Sequence, residues 1–192
     1  MKKLLATLAL SLGLTTASHA VVLDSASNLL GNLVVDYSEP GLLSFDLDLT
    51  TLLNPRSRPI QLDFVVESGD GDDVAFNAIV RNLFGDLLGN FRLMLNGASF
   101  SLVGSIDTFF GSVPTIKSRP DAVNVVFNPA ETYEFFLGAP TGETGIDWRI
   151  SLAGLNPGDR FSLSLSRVPE PATLALLLGA LGLLGVAGRR RG

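Results

Sequence analysis

The amino-acid sequence predicts an all-β fold, a single β-sandwich or jelly roll formed by residues 21–167. Hydrophobic and polar residues alternate over many short segments, which is the pattern of strands with one buried and one solvated face. Glycine, proline and asparagine separate these segments at intervals of roughly 10–15 residues, a spacing typical of antiparallel sheets. No internal repeat and no low-complexity linker divides the segment into two domains.

The alternation is clearest in the segment 43–49, where leucine and phenylalanine alternate with serine and aspartate. The dipeptide Asn96-Gly97 between two such runs predicts a hairpin. Apolar residues have helical spacing only in 80–88, where one short helix is allowed. The predicted strands are 43–49, 60–66, 91–95, 100–102, 123–127, 133–137, 148–152 and 161–165.

Composition and charge exclude several kinds of function. The chain has no cysteine, and its one histidine, His19, lies in a segment that we expect to be removed. Catalytic triads, cysteine nucleophiles and imidazole or thiolate zinc sites are therefore excluded, and we expect a protein that is not an enzyme. Residues 21–167 contain 18 acidic and nine basic side chains, a formal charge of −9 that disfavours nucleic-acid binding.

The N-terminal segment 1–20 has the three parts of a secretory signal peptide. Lys2 and Lys3 precede an apolar run, and the segment closes on Ser18-His19-Ala20, with the small residues that signal peptidase requires. We expect a signal helix that is cleaved after Ala20. This implies that the secretory translocon and signal peptidase act on the chain and that residue 21 onward is exported.

The C-terminal segment 168–192 is equally patterned. Val168-Pro169-Glu170-Pro171 precedes the uncharged run 172–188 and then the cluster Arg189-Arg190-Arg191, followed by Gly192. A helix over 172–188 would be about 25 Å long, close to the roughly 30 Å of a bilayer core. The positive-inside rule places the arginines in the cytoplasm. We therefore predict a transmembrane helix over 172–188 that holds the exported chain in the inner membrane.

This tail closely resembles the PEP-CTERM sorting domain, since the motif, the apolar run and the arginine cluster follow one another in that order. The resemblance implies recognition by an exosortase, a membrane-embedded cysteine protease or transpeptidase of Gram-negative bacteria. By position, Val168, Pro169, Glu170 and Pro171 would be the sorting motif, and 172–188 the transient anchor. Arg189, Arg190 and Arg191 would be the cytoplasmic retention signal. A permanent single-span anchor without processing is the alternative.

One acidic loop is a candidate for calcium binding. In the segment 67–73, carboxylates alternate with glycines, and Asp70, Asp72 and Asp73 are the candidate ligands. Calcium takes several oxygen ligands at about 2.4 Å, which such a loop can supply. The spacing departs from that of an EF-hand because Val74 stands at the next ligand position and no glutamate closes the loop. A solvated turn explains the same residues, and no other cofactor is expected.

Paired carboxylates suggest a second kind of site. Asp46 and Asp48 lie on one face of a predicted strand, and Glu131 and Glu134 flank the start of another. Two carboxylates facing each other across a cleft form the catalytic pair of glycosidases. Outward-facing carboxylates also keep a secreted β-domain soluble. A carboxylate-dependent polysaccharide hydrolase is therefore an alternative, and a soluble strand face is the simpler interpretation.

Three aromatic residues, Trp148, Tyr37 and Tyr133, could stack on sugar rings. Each also stands in phase with apolar neighbours that the alternation assigns to the core. We expect Trp148 to be a core residue because Ile150 and Leu152 share its phase.

The signals at the two ends favour an exported, non-catalytic protein of the cell surface or extracellular matrix. The resemblance implies an association with exopolysaccharide and biofilm after processing by an exosortase-type membrane protease. Before processing the chain would be held in the inner membrane, and afterwards it would be at the cell surface or extracellular. The alternatives are a calcium- or carbohydrate-binding adhesin module and the hydrolase.

Overall fold

The computed structural model describes residues 21–51, 58–85, 87–131, 133–141 and 145–168. These residues form thirteen β-strands and no helix. The predicted signal helix (1–20) and transmembrane helix (172–188) lie outside the described residues. The strands are β1 (Val22–Ser27), β2 (Leu33–Asp36), β3 (Leu42–Leu49), β4 (Ile60–Val65), β5 (Asp73–Asn82), β6 (Leu88–Asn96), β7 (Ser99–Leu102), β8 (Ile106–Thr108), β9 (Val113–Arg119), β10 (Ala122–Glu131), β11 (Glu134–Leu137), β12 (Trp148–Ser151) and β13 (Arg160–Arg167).

The strands form two sheets. The first sheet has the order β1-β4-β13-β6-β10-β9, and all its neighbours are antiparallel. The second has the order β2-β3-β5-β11-β8, and its β3–β5 pair is parallel. Strand β12 pairs with the first part of β5, residues 73–76, whereas β11 pairs with its later part, residues 78–81. Strand β7 in turn pairs with β12. The predicted all-β fold is therefore confirmed.

The hydrophobic core lies between the two sheets. The central strands bury about every second residue, so that β3 contributes Leu43, Phe45, Leu47 and Leu49 while its polar residues face outward. Aromatic rings join the sheets across the core, as where Phe91 of β6 stacks on Phe135 of β11 with a centroid distance of 4.9 Å. Among the described residues no helix is long and apolar enough to cross a bilayer.

The short helix allowed over 80–88 is wrong. Strand β5 continues to Asn82 and β6 begins at Leu88, and Val80 is buried in register with Leu47 of β3. The apolar residues with helical spacing have different environments, because Leu83 and Leu87 are exposed in the connection between the strands. Val80 thus belongs to the period-two pattern of β5, which the helical interpretation overlooked.

The registers place most connections at two opposite ends of the sandwich. Strand β13 finishes beside the start of β6, where the amide nitrogen of Val168 donates to the carbonyl oxygen of Asn90 at 3.3 Å. Glu131, at the end of β10, lies opposite Leu88 of β6. The connections β1–β2, β3–β4, β5–β6, β8–β9 and β10–β11 share this end, which we name the C-terminal end because Val168 leaves the domain there.

The opposite end is acidic. It is formed by the connections β2–β3, β4–β5, β6–β7, β9–β10 and β12–β13. These connections contain six acidic residues and no basic one. We name it the acidic end, and its carboxylates are those of Glu39, Glu67, Asp70, Asp72, Asp121 and Asp159.

Candidate functional site

Three carboxylates converge on one arginine on the outer face of the second sheet. The parallel register of β3 and β5 sets Asp48 opposite Arg81, and the antiparallel register of β11 sets Glu134 opposite the same residue. The guanidinium donates to Asp46 Oδ2 at 2.7 Å, to Asp48 Oδ1 at 3.0 Å and to Glu134 Oε1 at 3.1 Å. All four side chains are at most 30% exposed. We name this group the Arg81 cluster.

The electrostatics of the Arg81 cluster keep the guanidinium charged. Burial of Arg81 lowers its pKa, but hydrogen bonds and charge attraction from Asp46 and Asp48 outweigh this effect and raise the pKa above its ordinary value. A permanently charged fork with five donors can satisfy several carboxylate oxygens at once. Arg81, on β5, therefore links the outward-facing carboxylates of β3 and β11.

This geometry changes the interpretation of the carboxylates that the sequence singled out. Asp46, Asp48 and Glu134 do come together, but they face a guanidinium and not an open cleft between two acids. A glycosidase needs one carboxyl group that carries a proton and a second that is free to attack or to activate water. Here Arg81 donates a hydrogen bond to one oxygen of each of the three carboxylates. The side chain of Glu131 lies outside the described residues.

Replacing Arg81 with methionine is expected to lower the free energy of unfolding by about 1–3 kcal/mol, because three partly buried carboxylates lose their shared partner. Urea unfolding followed by circular dichroism measures this loss. Arg119→Met is the matched control, since Arg119 meets Asp121 at 3.7 Å with both side chains more than 60% exposed. We expect the control to change stability by less than about 0.5 kcal/mol. Equal losses in the two variants would contradict a stabilising role for the cluster.

A shallow groove of about 390 Å³ lies beside the Arg81 cluster on the same face. Tyr37 and Glu39 line one part of it, and Ser44, Asp46 and Asn77 line another. Its floor is fixed by hydrogen bonds: the Ser44 hydroxyl donates to Asn77 Oδ1 at 2.6 Å, and Asn77 Nδ2 donates to an oxygen of Asp147 at 3.3 Å. We name it the Tyr37 groove. It combines one aromatic face with several hydrogen-bonding groups.

A second groove, of about 380 Å³, adjoins the first across Pro140. Pro140 belongs to the connection between β11 and β12, which packs on the connection between β7 and β8. The amide of Ala139 donates to Asp147 Oδ1 at 2.8 Å, and the amide of Ile146 donates to the Ser105 hydroxyl at 3.0 Å. The first bond closes the β11–β12 connection on itself, and the second joins it to the β7–β8 connection.

The three aromatic candidates lie in different environments. Trp148 is fully buried, as the sequence predicts. Tyr37 and Tyr133 are 56% and 44% exposed, so the core position that alternation suggested for them is wrong. Both stand just outside a strand, where the chain turns and the period-two rule no longer applies. Tyr37 lines a groove, whereas Tyr133 contacts Phe109 and Phe110 at the C-terminal end.

The structure does not gather the calcium candidates around a common point. One oxygen of Asp70 accepts a hydrogen bond from the Glu67 amide at 2.9 Å, which closes the turn, and Asp73 accepts one from the Ser101 hydroxyl at 2.7 Å. Asp72 contributes its carbonyl oxygen to the Leu152 amide at 2.7 Å. Within the described ranges no three acidic side chains are close enough to hold a metal ion. The geometry favours the solvated turn.

The sorting signals lie mostly beyond the described part of the chain. Ala20, Pro169, Glu170, Pro171 and the three arginines are outside it, and Val168 is its last residue. Val168 directly follows β13, so the motif begins where the last strand ends.

Comparison with protein families identifies the C-terminal segment. The family model for the PEP-CTERM protein-sorting motif matches residues 167–191. No curated protein and no solved structure matches the chain. The match confirms the resemblance found in the sequence, and the motif implies an exported protein that is processed by an exosortase, a membrane protease. The chain therefore carries a PEP-CTERM protein-sorting motif at residues 167–191.

Proposed function

We propose that this is a non-catalytic protein of the cell surface or extracellular matrix, which associates with exopolysaccharide in a biofilm after exosortase processing. The sorting motif is the observation that carries the proposal. It directly follows the last strand, so the β-domain would be exported and processed together with the motif. Cleavage after Ala20 by signal peptidase, following the secretory translocon, starts the exported chain at Val21. The apolar run 172–188 then holds it in the inner membrane until the exosortase acts.

The chemistry of the chain supports a binding or structural role. Residues 21–192 contain no histidine and no cysteine, so the common nucleophiles and general bases are missing. Three of the four candidate carboxylates, Asp46, Asp48 and Glu134, are engaged by Arg81. The outer face has two shallow grooves, and the Tyr37 groove has polar side chains whose positions are fixed by hydrogen bonds.

Expression of the full chain with and without an exosortase tests this proposal. Without the exosortase, we expect the chain to stay in the membrane fraction, held by 172–188. With it, the β-domain moves to the surface or extracellular fraction. A chain that remains in the membrane fraction in both hosts would support the permanent anchor instead.

The Tyr37 groove favours carbohydrate binding as a second, compatible function. Sugar rings stack on exposed aromatic faces, while their hydroxyls need fixed donors and acceptors of the kind that Ser44 and Asn77 provide. The domain's charge of −9 repels uronic-acid polymers, so a neutral or amino-sugar glycan is the better fit.

Tyr37→Ala is expected to weaken binding of such a glycan about threefold to tenfold, the equivalent of about 0.5–1.5 kcal/mol of stacking. Titration calorimetry with neutral and amino-sugar oligosaccharides selected on a glycan array measures the change. Tyr133→Ala is the matched control, since it removes an exposed tyrosine from outside the groove. Equal affinity in the wild type and both variants, or no binding by the wild type, would contradict a glycan site in this groove.

A further inference from the structure

The C-terminal end of the sandwich exposes an unusual number of large apolar side chains. Three of its connections contain two apolar residues followed by glycine: Leu29-Leu30-Gly31, Leu83-Phe84-Gly85 and Phe109-Phe110-Gly111. Each glycine has a positive φ, between +76° and +96°, which turns the chain at the tip of the loop. We name the exposed side chains of this end the apolar tips; they are Leu30, Leu83, Leu87, Phe109, Phe110 and Tyr133.

The apolar tips are held in place by the strands beneath them. The rings of Phe109 and Phe110 contact each other and Tyr133, with centroid distances between 5.0 and 6.1 Å. The amide of Phe109 donates to the Glu134 carbonyl oxygen at 3.1 Å, and the Thr108 hydroxyl closes the same loop on the Ser112 carbonyl oxygen at 2.8 Å. Phe110 nevertheless remains 66% exposed. An apolar surface fixed in an exposed position marks an interaction site.

The two ends of the sandwich differ in charge as well as in polarity. Among the described residues of the connections at the C-terminal end, 28–32, 50–51, 58–59, 83–85, 87, 109–112 and 133, Arg58 is the one charged residue, and the sequence adds Arg56 and Asp86 to these connections. The acidic end has six carboxylates and exposes a single large apolar side chain, Tyr37, in its connections. The domain is therefore polarised along its long axis.

The position of Val168 orients this axis relative to the membrane. Three residues separate Val168 from Ala172, where the apolar run begins, so the two are four residue steps apart, and a chain spans at most about 3.6 Å per step. Before processing, the C-terminal end thus lies within roughly 14 Å of the bilayer surface, whereas the acidic end points away from anionic headgroups.

We propose that the apolar tips dock the β-domain onto the lipid surface of the membrane that holds the C-terminal segment. Aromatic and aliphatic side chains partition into the headgroup boundary, to a depth of about 5–10 Å. Three loop tips from both sheets contact the bilayer at once, so the domain is held with its C-terminal end on the membrane and its acidic end away from it. This orientation places residues 168–171 at the membrane surface. This inference rests on the proposed function, because it requires the membrane-held stage of the unprocessed chain.

Site-directed fluorescence quenching in vesicles tests the docking. The chain has no cysteine, so Phe110→Cys, Leu87→Cys and Ser68→Cys each take one environment-sensitive fluorophore. Phe110 and Leu87 are apolar tips, and Ser68 is an exposed residue of the acidic end. The labelled full-length chains are reconstituted into vesicles of phosphatidylethanolamine with some phosphatidylglycerol. A lipid spin-labelled near its headgroup quenches from the membrane, and iodide quenches from water.

Docking predicts that the lipid quenches the labels at residues 110 and 87 and that iodide quenches only the label at residue 68. If the chains float with the vesicles but iodide quenches all three labels alike, the docking is wrong and the membrane anchor stands. If the chains do not float with the vesicles, the anchoring step itself fails and the docking fails with it. If residues 110 and 87 are shielded from both quenchers and the shielding grows with protein concentration, a second copy of the chain covers the tips, and the proposal is overturned.

Discussion

Replacing Trp148 with alanine is expected to lower the free energy of unfolding by about 3–5 kcal/mol, a large part of the stability of a domain this size. The indole is fully buried and meets Phe76 and Phe100 edge-on, with ring centroids 5.8 and 5.7 Å away. Its Nε1 donates to the Ser105 carbonyl oxygen at 2.9 Å. The substitution removes a cluster of aromatic contacts and one of the two hydrogen bonds to that carbonyl oxygen, which still accepts from the Gly138 amide at 2.9 Å, so the loss of packing dominates.

Urea unfolding followed by far-UV circular dichroism measures this effect, because Trp148 is the one tryptophan and its fluorescence disappears with it. Trp148→Phe is the control that keeps an aromatic ring but removes the donor. We expect it to cost about 1–2 kcal/mol, less than the alanine variant. A loss below about 1 kcal/mol for Trp148→Ala would show that the indole does not organise the packing of β5, β7 and β12.

Replacing Pro169, Glu170 and Pro171 together with alanine is expected to abolish release from the membrane in a host that has an exosortase. The motif implies exosortase processing. Proline disfavours helical structure at and just before its own position, so the two prolines would end the predicted transmembrane helix ahead of the apolar run. Alanines would instead allow that predicted helix to extend toward β13, and the variant also loses the acidic side chain of the motif. Fractionation of cells and immunoblotting measure the retained share.

Thr173→Ala is the matched control for the motif variant. It changes one residue of the apolar run and leaves the motif, the length of the run and the arginine cluster as they are. We expect this variant to be released like the wild type. Equal release of the motif variant and the control would mean that the prolines and Glu170 are not the recognised signal.

Local alternation is enough to predict the strands that line the core. In β3, β4 and β13 the buried residues follow the period of two without interruption, because each strand has one face against the other sheet. In 80–88 the pattern wrongly allowed a helix. The apolar residues of the loop between β5 and β6, together with Val80 at the end of β5, have helical spacing by coincidence. The core positions suggested for Tyr37 and Tyr133 were wrong for a related reason. Tyr37 follows β2 and Tyr133 precedes β11, so both lie in turns, where the period of two does not apply.

The Arg81 cluster could not be predicted from local pattern. Its three carboxylates belong to β3 and β11, and they meet Arg81 only because β3 pairs with β5 in parallel and β11 pairs in antiparallel register on the other side. The sequence of a single segment does not show which strands pair with each other or in which register. The apolar tips did leave a signal, because pairs of apolar residues before a turn glycine, as in Phe109-Phe110-Gly111, contradict the polar composition usual for turns.

The intact mass of the surface or extracellular form tests the central claim most directly. The exported chain, produced in cells that contain an exosortase, is purified and measured beside the motif variant. The account predicts a wild-type product that begins at Val21 and ends near the motif 168–171, with residues 172–191 removed, and a motif variant that keeps them. A mature wild-type product that still carries residues 172–191 would contradict the account.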